Sequence, residues 1–561
     1  MSNIRWSDSM EIVKPQLFCD VKGLMLNSAK LYADRAAFVI KHGKGDYETK
    51  TYTDFLNDVN RFGQALFNLG LSGKRIAVIG RNCYEWAVAH FANLLGGIVS
   101  VPLDKELQFA ELEESLKRSG AEAVVFDVKY KDKINAVIDG GNTALKYAVC
   151  MAECEGLNVR SMIDGTDDFS QFAAYTPDPD AMSILLFTSG TTAKSKAVML
   201  CQRGIAQNIY DMQCVERFYP TDVNIAFLPL HHIFGSTGIT VMLSCGVKTV
   251  FTDGLRYIKQ NLKEYGVSVF VGVPVLIDSM YKNIEREIKK QGKEKLFNFA
   301  GRLSNFLMAM KIDIRRKLHK QVIDALGGKM RLIISGGAPL DAKTSKRFNE
   351  MGILLVQGYG LTETSPVIAA ENPQEMRTGS VGKPMGSLSV KIDNPDSDGM
   401  GEICVKGSSV MLGYYENADA TNAVLKDGWF HTGDLGHIDN DGFLFITGRH
   451  KDMIVMKNGK KVFPEEIETL INRIDGVKES FVYGKGEGGL SCDKILCKVV
   501  YDPAYFDGEK EDIHTSLWNS IKEINKTLPM YKYIKGLTIT ETPLIKTSTN
   551  KIKRNEELKT L

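Results

Sequence analysis

The residues Thr188-Ser189-Gly190-Thr191-Thr192-Ala193-Lys194-Ser195-Lys196 follow the apolar run Leu185-Leu186-Phe187. Hydroxyls and backbone N–H groups donate hydrogen bonds, Gly190 admits close approach, and lysine supplies positive charge. That set suits a polyanion such as a triphosphate. The spacing is not the G-x-x-x-x-G-K-[ST] of a Walker A loop. Taken alone, the stretch is equally an ordinary Ser/Thr-rich turn after a buried strand. His231-His232 invites a metal, but neighbours on a strand point to opposite faces, and no Cys or His stands at matching spacing. Gly484 to Gly489 fits G-x-G-x-x-G yet leads into a strand, so it reads as a mobile hairpin loop rather than a dinucleotide site.

The elements that must carry these residues alternate. Phe55–Leu69 and Trp86–Leu95 have helical patterns, whereas Arg75–Gly80 and Ala121–Phe126 read as buried strands. Further strands are expected at Asn224–Leu230, Lys248–Thr252, Val267–Val273, Met330–Ser335 and Ile353–Gln357. Alternation of this kind implies α/β architecture with parallel or mixed sheets, which bind ligands beyond the carboxyl ends of their strands. From about Leu388 short strands and turns suggest a small β-subdomain, with a hairpin at Asp439-Asn440-Asp441-Gly442 before Phe443–Thr447. The last hundred-odd residues mix strands (Ser480–Tyr483, Lys494–Val500) with helices (Pro464–Arg473, Ile513–Lys526), as in a small α+β domain.

The 561 residues exceed one hydrophobic core. A net charge of +2 gives no sign of a nucleic-acid partner. No apolar run reaches the ~18 residues of a membrane span. Ten scattered cysteines without a Cys-x-x-Cys fit reduced thiols in the cytoplasm. Residues 282–320 carry twelve Lys/Arg against four Asp/Glu, with Leu296, Phe299, Leu303, Phe306, Leu307 and Met310 at helical spacing. They form either a packed helical pair with a solvated basic face or a peripheral contact with the inner, anionic face of a membrane.

A series of motifs then stands in order. After Thr188–Lys196 come Leu228-Pro229-Leu230-His231-His232, Ser335-Gly336-Gly337-Ala338-Pro339-Leu340 and Gln357-Gly358-Tyr359-Gly360-Leu361-Thr362-Glu363. Gly428-Trp429-Phe430-His431-Thr432-Gly433-Asp434, Gly448-Arg449-His450-Lys451-Asp452 and Pro543 to Ile552 follow. Over nearly the whole chain this resembles the adenylate-forming superfamily. The helical insertion between Val273-Pro274 and Ser335 is most similar to long-chain fatty acyl-CoA synthetases.

The resemblance implies a large N-terminal domain (1–448), a hinge (449–452) and a mobile C-terminal lid (453–561). It implies two half-reactions: a carboxylate attacks the α-phosphorus of ATP, giving acyl-AMP and pyrophosphate, and CoA then displaces AMP to form a thioester. Thr188, Ser189, Gly190, Thr191, Thr192 and Lys196 would hold phosphate. Glu363, with Thr188 and Thr362 nearby, would hold Mg2+. Gly336, Gly337 and Ala338 would wall the adenine, with Gln357, Gly358, Tyr359 and Gly360 opposite and Tyr359 stacked on the base. Asp434 would accept both ribose hydroxyls, and Arg449 would share the ribose or reach phosphate. His232 would lie at the carboxylate pocket. Lys551 would bridge carboxylate and α-phosphate, Lys451 would be the pivot, and Lys457, Gly459 and Lys460 would meet CoA.

Ala193, Ser195, Ala197 and Asn550 depart from the family pattern. The short spacing from Glu363 to Gly379 leaves no room for the insertion of fatty acyl-AMP ligases and favours CoA as acceptor. The alternatives are a ligase for another acid or a carrier-protein acceptor, and a nucleotide-binding pseudoenzyme.

Overall fold

The computed structural model describes residues 13–188, 195–486, 492–506, 508–547 and 551–561. The central residues of the Thr188–Lys196 loop, the tip of the Gly484–Gly489 loop and Asn550 therefore lie outside the described residues. Chain contacts divide the protein into two compact units, one of residues 1–389 and 405–430, the other of residues 390–404 and 431–561.

Two sheets dominate the first unit. One has the order Gly413–Tyr414, Lys196–Cys201, Met182–Thr188, Val99–Leu103, Arg75–Ile79, Ala123–Phe126, Tyr147–Cys150. Its central strands are parallel and buried apart from Arg75, which is why they read as apolar runs. The other sheet runs from Lys383–Pro384 through Val367–Ala370, Leu354–Gly360, Leu332–Ser335, Val269–Gly272, Val223–Ala226 and Lys248–Phe251 to the hairpin Ala36–Gly43/Asp46–Thr51 at its far edge. The helices Tyr52–Asn68 and Tyr84–Leu95 bury Phe55, Phe62, Trp86 and Phe91 completely or nearly so in the same core. In the second unit Val477–Lys485, Lys494–Tyr501 and Ile534–Thr540 form a three-stranded sheet. The helices Pro464–Ile471 and Lys510–Thr527 join its apolar core through Ile467, Leu517 and Ile521. The α/β class and the small α+β unit are as expected.

Two expectations change. The strand predicted over Asn224–Leu230 covers only Val223–Ala226. The chain then turns at Pro229, and His231-His232 lies in that turn, directly before the helix Ile233–Ser244. Without a strand there, the two side chains need not point to opposite faces. The helix Glu294–Ala309 is also turned the other way from a packed amphipathic helix. Ala300, Gly301 and Ser304 face the body, while Leu296, Phe299, Phe306 and Met310 are 63%, 62%, 64% and 57% exposed.

Beside the middle of the strand Leu354–Gly360 sits an acid out of water. Glu371 is buried, and its Oε2 accepts the Gln357 N–H at 3.0 Å. Burial raises its pKa to about 8, and the Gln357 bond lowers it only in part. Glu216 is likewise raised to about 8 by burial, against the opposing charge of Arg331. A carboxyl held this high keeps its proton in the folded chain after the unfolded chain has lost it near pH 4.5. Its contribution to stability is complete below that value and lost as pH rises through about 8. Melting temperatures across this window should therefore fall more steeply for the native chain than for Glu371→Gln; parallel curves would show that Glu371 is ionised in the fold.

Candidate active site

The loop beginning at Thr188 is the connection of an antiparallel hairpin. Thr188 pairs with Lys196 and Phe187 with Ala197. The Thr188 hydroxyl donates to the Lys196 carbonyl at 3.3 Å, closing the neck of the loop. Arg118 grips both stems. Its Nη1 donates to Ser195 O at 2.9 Å and to Ser195 Oγ at 3.2 Å, and its guanidinium lies 5.2 Å from the centre of the Phe187 ring. Ser195, a departure from the family pattern, thus supplies an acceptor that proline lacks.

Lys196 and Glu363 are brought together by a residue the sequence did not single out. Tyr414 lies on the edge strand Gly413–Tyr414, which pairs with Lys196–Cys201 through Gly413↔Met199 and Tyr414↔Val198. Gly413 has a φ of +138°, and a Cβ there would meet Thr421 at 3.0 Å, so glycine lets the strand bend beside the tyrosine. The Tyr414 N–H donates to Thr421 Oγ1 at 2.9 Å. Its hydroxyl donates to Glu363 Oε1 at 2.9 Å, and Lys196 Nζ stands 4.4 Å from its ring centre. The Glu363 carbonyl also accepts the Met411 N–H at 2.8 Å. One aromatic side chain therefore orients a hard carboxylate and a cation near the same neck. A half-buried carboxylate held by one oxygen fits a hard divalent cation such as Mg2+, which takes one or two carboxylates and keeps waters.

Adjacent strands bring the two glycine-containing segments together. Ser335 pairs with Gln357 in parallel register, which sets Gly336-Gly337-Ala338 beside Gln357 to Gly360. A Cβ on Gly336 would meet Phe234 at 2.9 Å, and one on Gly360 would meet the Pro366 carbonyl at 1.9 Å. Neither position takes a side chain without rearrangement. The Gln357 side chain is engaged elsewhere, its Nε2 donating to Ser380 O at 2.8 Å. Its backbone is engaged as well, the N–H with Glu371 Oε2 at 3.0 Å and the carbonyl with the Glu371 N–H at 2.9 Å.

In the second unit Asp434 and Arg449 are paired residues of one hairpin. Arg449 Nε lies 2.8 Å from Asp434 Oδ1, and the Asp434 side chain is buried. Lys457 and Gly459 lie in the loop between Ile454–Val455 and Lys461–Val462, and Gly459 takes a φ of +76°. Lys457 is ion-paired with Asp493, and Lys460 Nζ lies 5.8 Å from the centre of the Tyr531 ring. Lys451 stands in the short 3-10 turn His450–Asp452.

Lys551 is exposed and returns antiparallel to Thr547, whose N–H donates to the Lys551 carbonyl at 2.9 Å. Three ion pairs unseen in the sequence fasten the segment around it: Lys546–Glu479 at 2.5 Å, Lys498–Glu557 at 2.5 Å and Arg554–Glu468 at 2.6 Å. The Glu468–Arg554 contact is bidentate, and Glu468 also accepts the Val482 N–H at 2.7 Å.

Residues 26–415 match the AMP-binding enzyme family, and residues 451–561 match the AMP-binding enzyme C-terminal domain. The chain is 28% identical over 494 residues to the long-chain-fatty-acid–CoA ligase FadD15 of Mycobacterium bovis, covering 83% of this chain and 80% of that protein. Its fold resembles that of the anthranilate CoA ligase AuaEII in complex with anthranoyl-AMP, with a TM-score of 0.78, 19% identity and 98% of each chain covered. It also resembles the o-succinylbenzoate coenzyme A synthetase of Bacillus subtilis in complex with ATP and magnesium ion, with a TM-score of 0.73 and 22% identity over 95% of this chain and 99% of that one.

Tyr414→Phe removes the bond to Glu363 and keeps the ring beside Lys196. A hydrogen bond to a charged group contributes about 1.5–3 kcal/mol, so magnesium–ATP binding should weaken about tenfold or more by calorimetry. Unchanged affinity would mean that the hydroxyl does not set the position of Glu363.

Proposed function

We propose that this chain, which belongs to the AMP-binding enzyme family, is an acid–thiol ligase that activates a fatty acid with ATP and passes it to CoA. The observation that carries this reading is the convergence of Lys196 and Glu363 on Tyr414, beside a loop neck whose residue types suit a triphosphate. The long-chain name of the relative supports a long-chain acid. A pseudoenzyme would not need a carboxylate and a cation oriented with this care.

The first half-reaction sets a carboxylate against a polyphosphate, anion against anion. Fixed positive charge and positioning must therefore lower the barrier. In this reading Thr188 and Lys196 hold the departing pyrophosphate, while Mg2+ held by Glu363 would neutralise charge on the phosphate oxygens. The Gly336–Ala338 wall and Tyr359 take the adenine. Asp434 and Arg449 take the ribose, and His232 borders the acid. Lys551 supplies charge at the α-phosphorus. With 449–452 as pivot, the Lys457–Lys460 loop replaces Lys551 at the site, and its glycine turn admits the pantetheine arm of CoA.

A fatty acid reaches such an enzyme from lipid, and the exposed apolar face of Glu294–Ala309 supplies a contact. Large apolar residues more than half exposed in one stripe need a cover. Beside them a cavity of about 470 Å3 is lined by Arg302, Lys343, Lys346 and Arg347, with Glu350 the one acid in its wall. Apolar residues next to clustered cations suit an anionic membrane surface. No helix among the described residues is long and apolar enough to cross a membrane, so this contact is peripheral.

Three outcomes test the reading. Incubated with CoA and acids from acetate to oleate, the enzyme should give its highest thioester yield with the long chains; no thioester with any acid removes the ligase assignment. Lys551→Ala should slow acyl-AMP formation by about a hundredfold or more, because a preorganised charge acts in that step alone. It should spare thioester formation from supplied acyl-AMP, and equal loss of both steps contradicts its role. Sedimentation with vesicles should rise with anionic lipid and fall in Phe299→Ser/Phe306→Ser; indifference to both changes removes the membrane contact.

A further inference from the structure

His231 has no part in the chemistry above, yet it is held with care. It is 5% exposed, and its Nε2 makes no hydrogen bond. Leaving a buried polar atom unsatisfied is costly, so such an atom asks for a reason. The turn that carries it is pinned from outside. Asn82 Nδ2 donates to Leu228 O at 2.7 Å and to Ala226 O at 3.0 Å, and Asn82 Oδ1 accepts the Leu230 N–H at 3.1 Å. A Cβ on Gly235 would meet the Pro229 carbonyl at 2.2 Å, so the turn packs tightly on the start of the next helix.

The unsatisfied nitrogen faces Asp104, just past the strand Val99–Leu103. His231 Nε2 and Asp104 Oδ1 are 3.4 Å apart without the alignment of a hydrogen bond. Oδ1 also accepts the Glu106 N–H at 2.9 Å, which fixes the carboxylate. The His232 ring lies beside that of His231, with centres 4.3 Å apart and planes at 47°. One ligand atom from each of Asp104, His231 and His232 lies within 4.8 Å of the others.

We propose that Asp104, His231 and His232 form a site for a divalent transition metal of the Zn2+ class. Ligand atoms on a tetrahedral ion with bonds of about 2.0–2.2 Å stand roughly 3.4 Å apart. The Nε2–Oδ1 separation matches that spacing. Two imidazoles and one carboxylate favour Zn2+ or a late first-row ion, whereas Mg2+ prefers oxygen in an octahedron. Three protein ligands leave a fourth position open to water or a small anion. Where His232 borders the acid, as in the function proposed above, that anion is the carboxylate of the acid; the metal site itself does not depend on that reading.

The test is Co2+ and Zn2+ binding by the full chain in excess Mg2+, without substrate, so that its outcome is separable from that of the ligase assay. Equilibrium dialysis should find an ion whose Co2+ spectrum shows nitrogen and oxygen ligation without thiolate charge transfer. His231→Gln and Asp104→Asn should each weaken that binding by about tenfold or more, as ligand-shell changes do. Cys404→Ser, in the separate Asp393–Cys404–His431 cluster, should leave it intact. Any variant that melts like the native chain counts. Absence of such a spectrum, equal binding by a natively melting His231→Gln or Asp104→Asn, or loss in Cys404→Ser overturns the proposal.

Discussion

Tyr414 is where the chemistry and the fold of the first unit meet. Its hydroxyl fixes Glu363, its ring faces Lys196, and its backbone belongs to the edge strand beside the loop that follows Thr188. The two charged groups come from positions 167 residues apart in the chain. Without a rigid intermediary each would sample several rotamers, and lysine especially has much to lose on ordering. An aromatic side chain has few torsions and presents a donor tip and an electron-rich face together. It can therefore orient a carboxylate and a cation without neutralising either. Arg118 does related work at the neck, where its bonds to Ser195 and its contact with Phe187 tie the two stems to one guanidinium.

The second unit answers a different demand. In the reaction proposed above, the chain around Lys551 needs a firm support. Lys546–Glu479, Lys498–Glu557 and Arg554–Glu468 provide it, with four of these six side chains largely withdrawn from water. Glu468 shows the cost: burial raises its pKa, and the Arg554 charge pulls it back. Such a pair adds little net stability over an apolar pair of equal size, but removing one partner leaves a buried charge. Its use here is to fix the path of the chain on either side of Lys551.

What the sequence revealed follows from how far each signal reaches. Buried parallel strands such as Arg75–Ile79 are written in consecutive residues, and glycines with a steric duty, such as Gly336 and Gly360, stand inside recognisable motifs. Tyr414 could not be read, because its meaning lies in pairing with Val198 and Glu363 at long range. The strand expected over Asn224–Leu230 ran too far since Leu228 and Leu230 are buried although the backbone has already turned at Pro229. That error also hid the approach of His231 and His232 to Asp104. Periodicity showed that Glu294–Ala309 has two faces without saying which meets the body. Gly301 decides it, since a Cβ there would stand 3.3 Å from Glu350 Oε2, and only small residues allow that approach. The residues 189–194 and 548–550 lie outside the described structure; of the loop's departures, Ser195 and Ala197 lie within it, Ala197 buried in the stem opposite Phe187.

The central claim is that fixed positive charge in this chain drives attack of a fatty carboxylate on the α-phosphorus of ATP. The most direct measurement is pyrophosphate release with palmitate in the absence of CoA. A burst of about one pyrophosphate per enzyme is expected, as acyl-AMP forms and stays bound, followed by sustained turnover only when CoA is added. Release that ignores palmitate, or no release with any carboxylic acid, would contradict it.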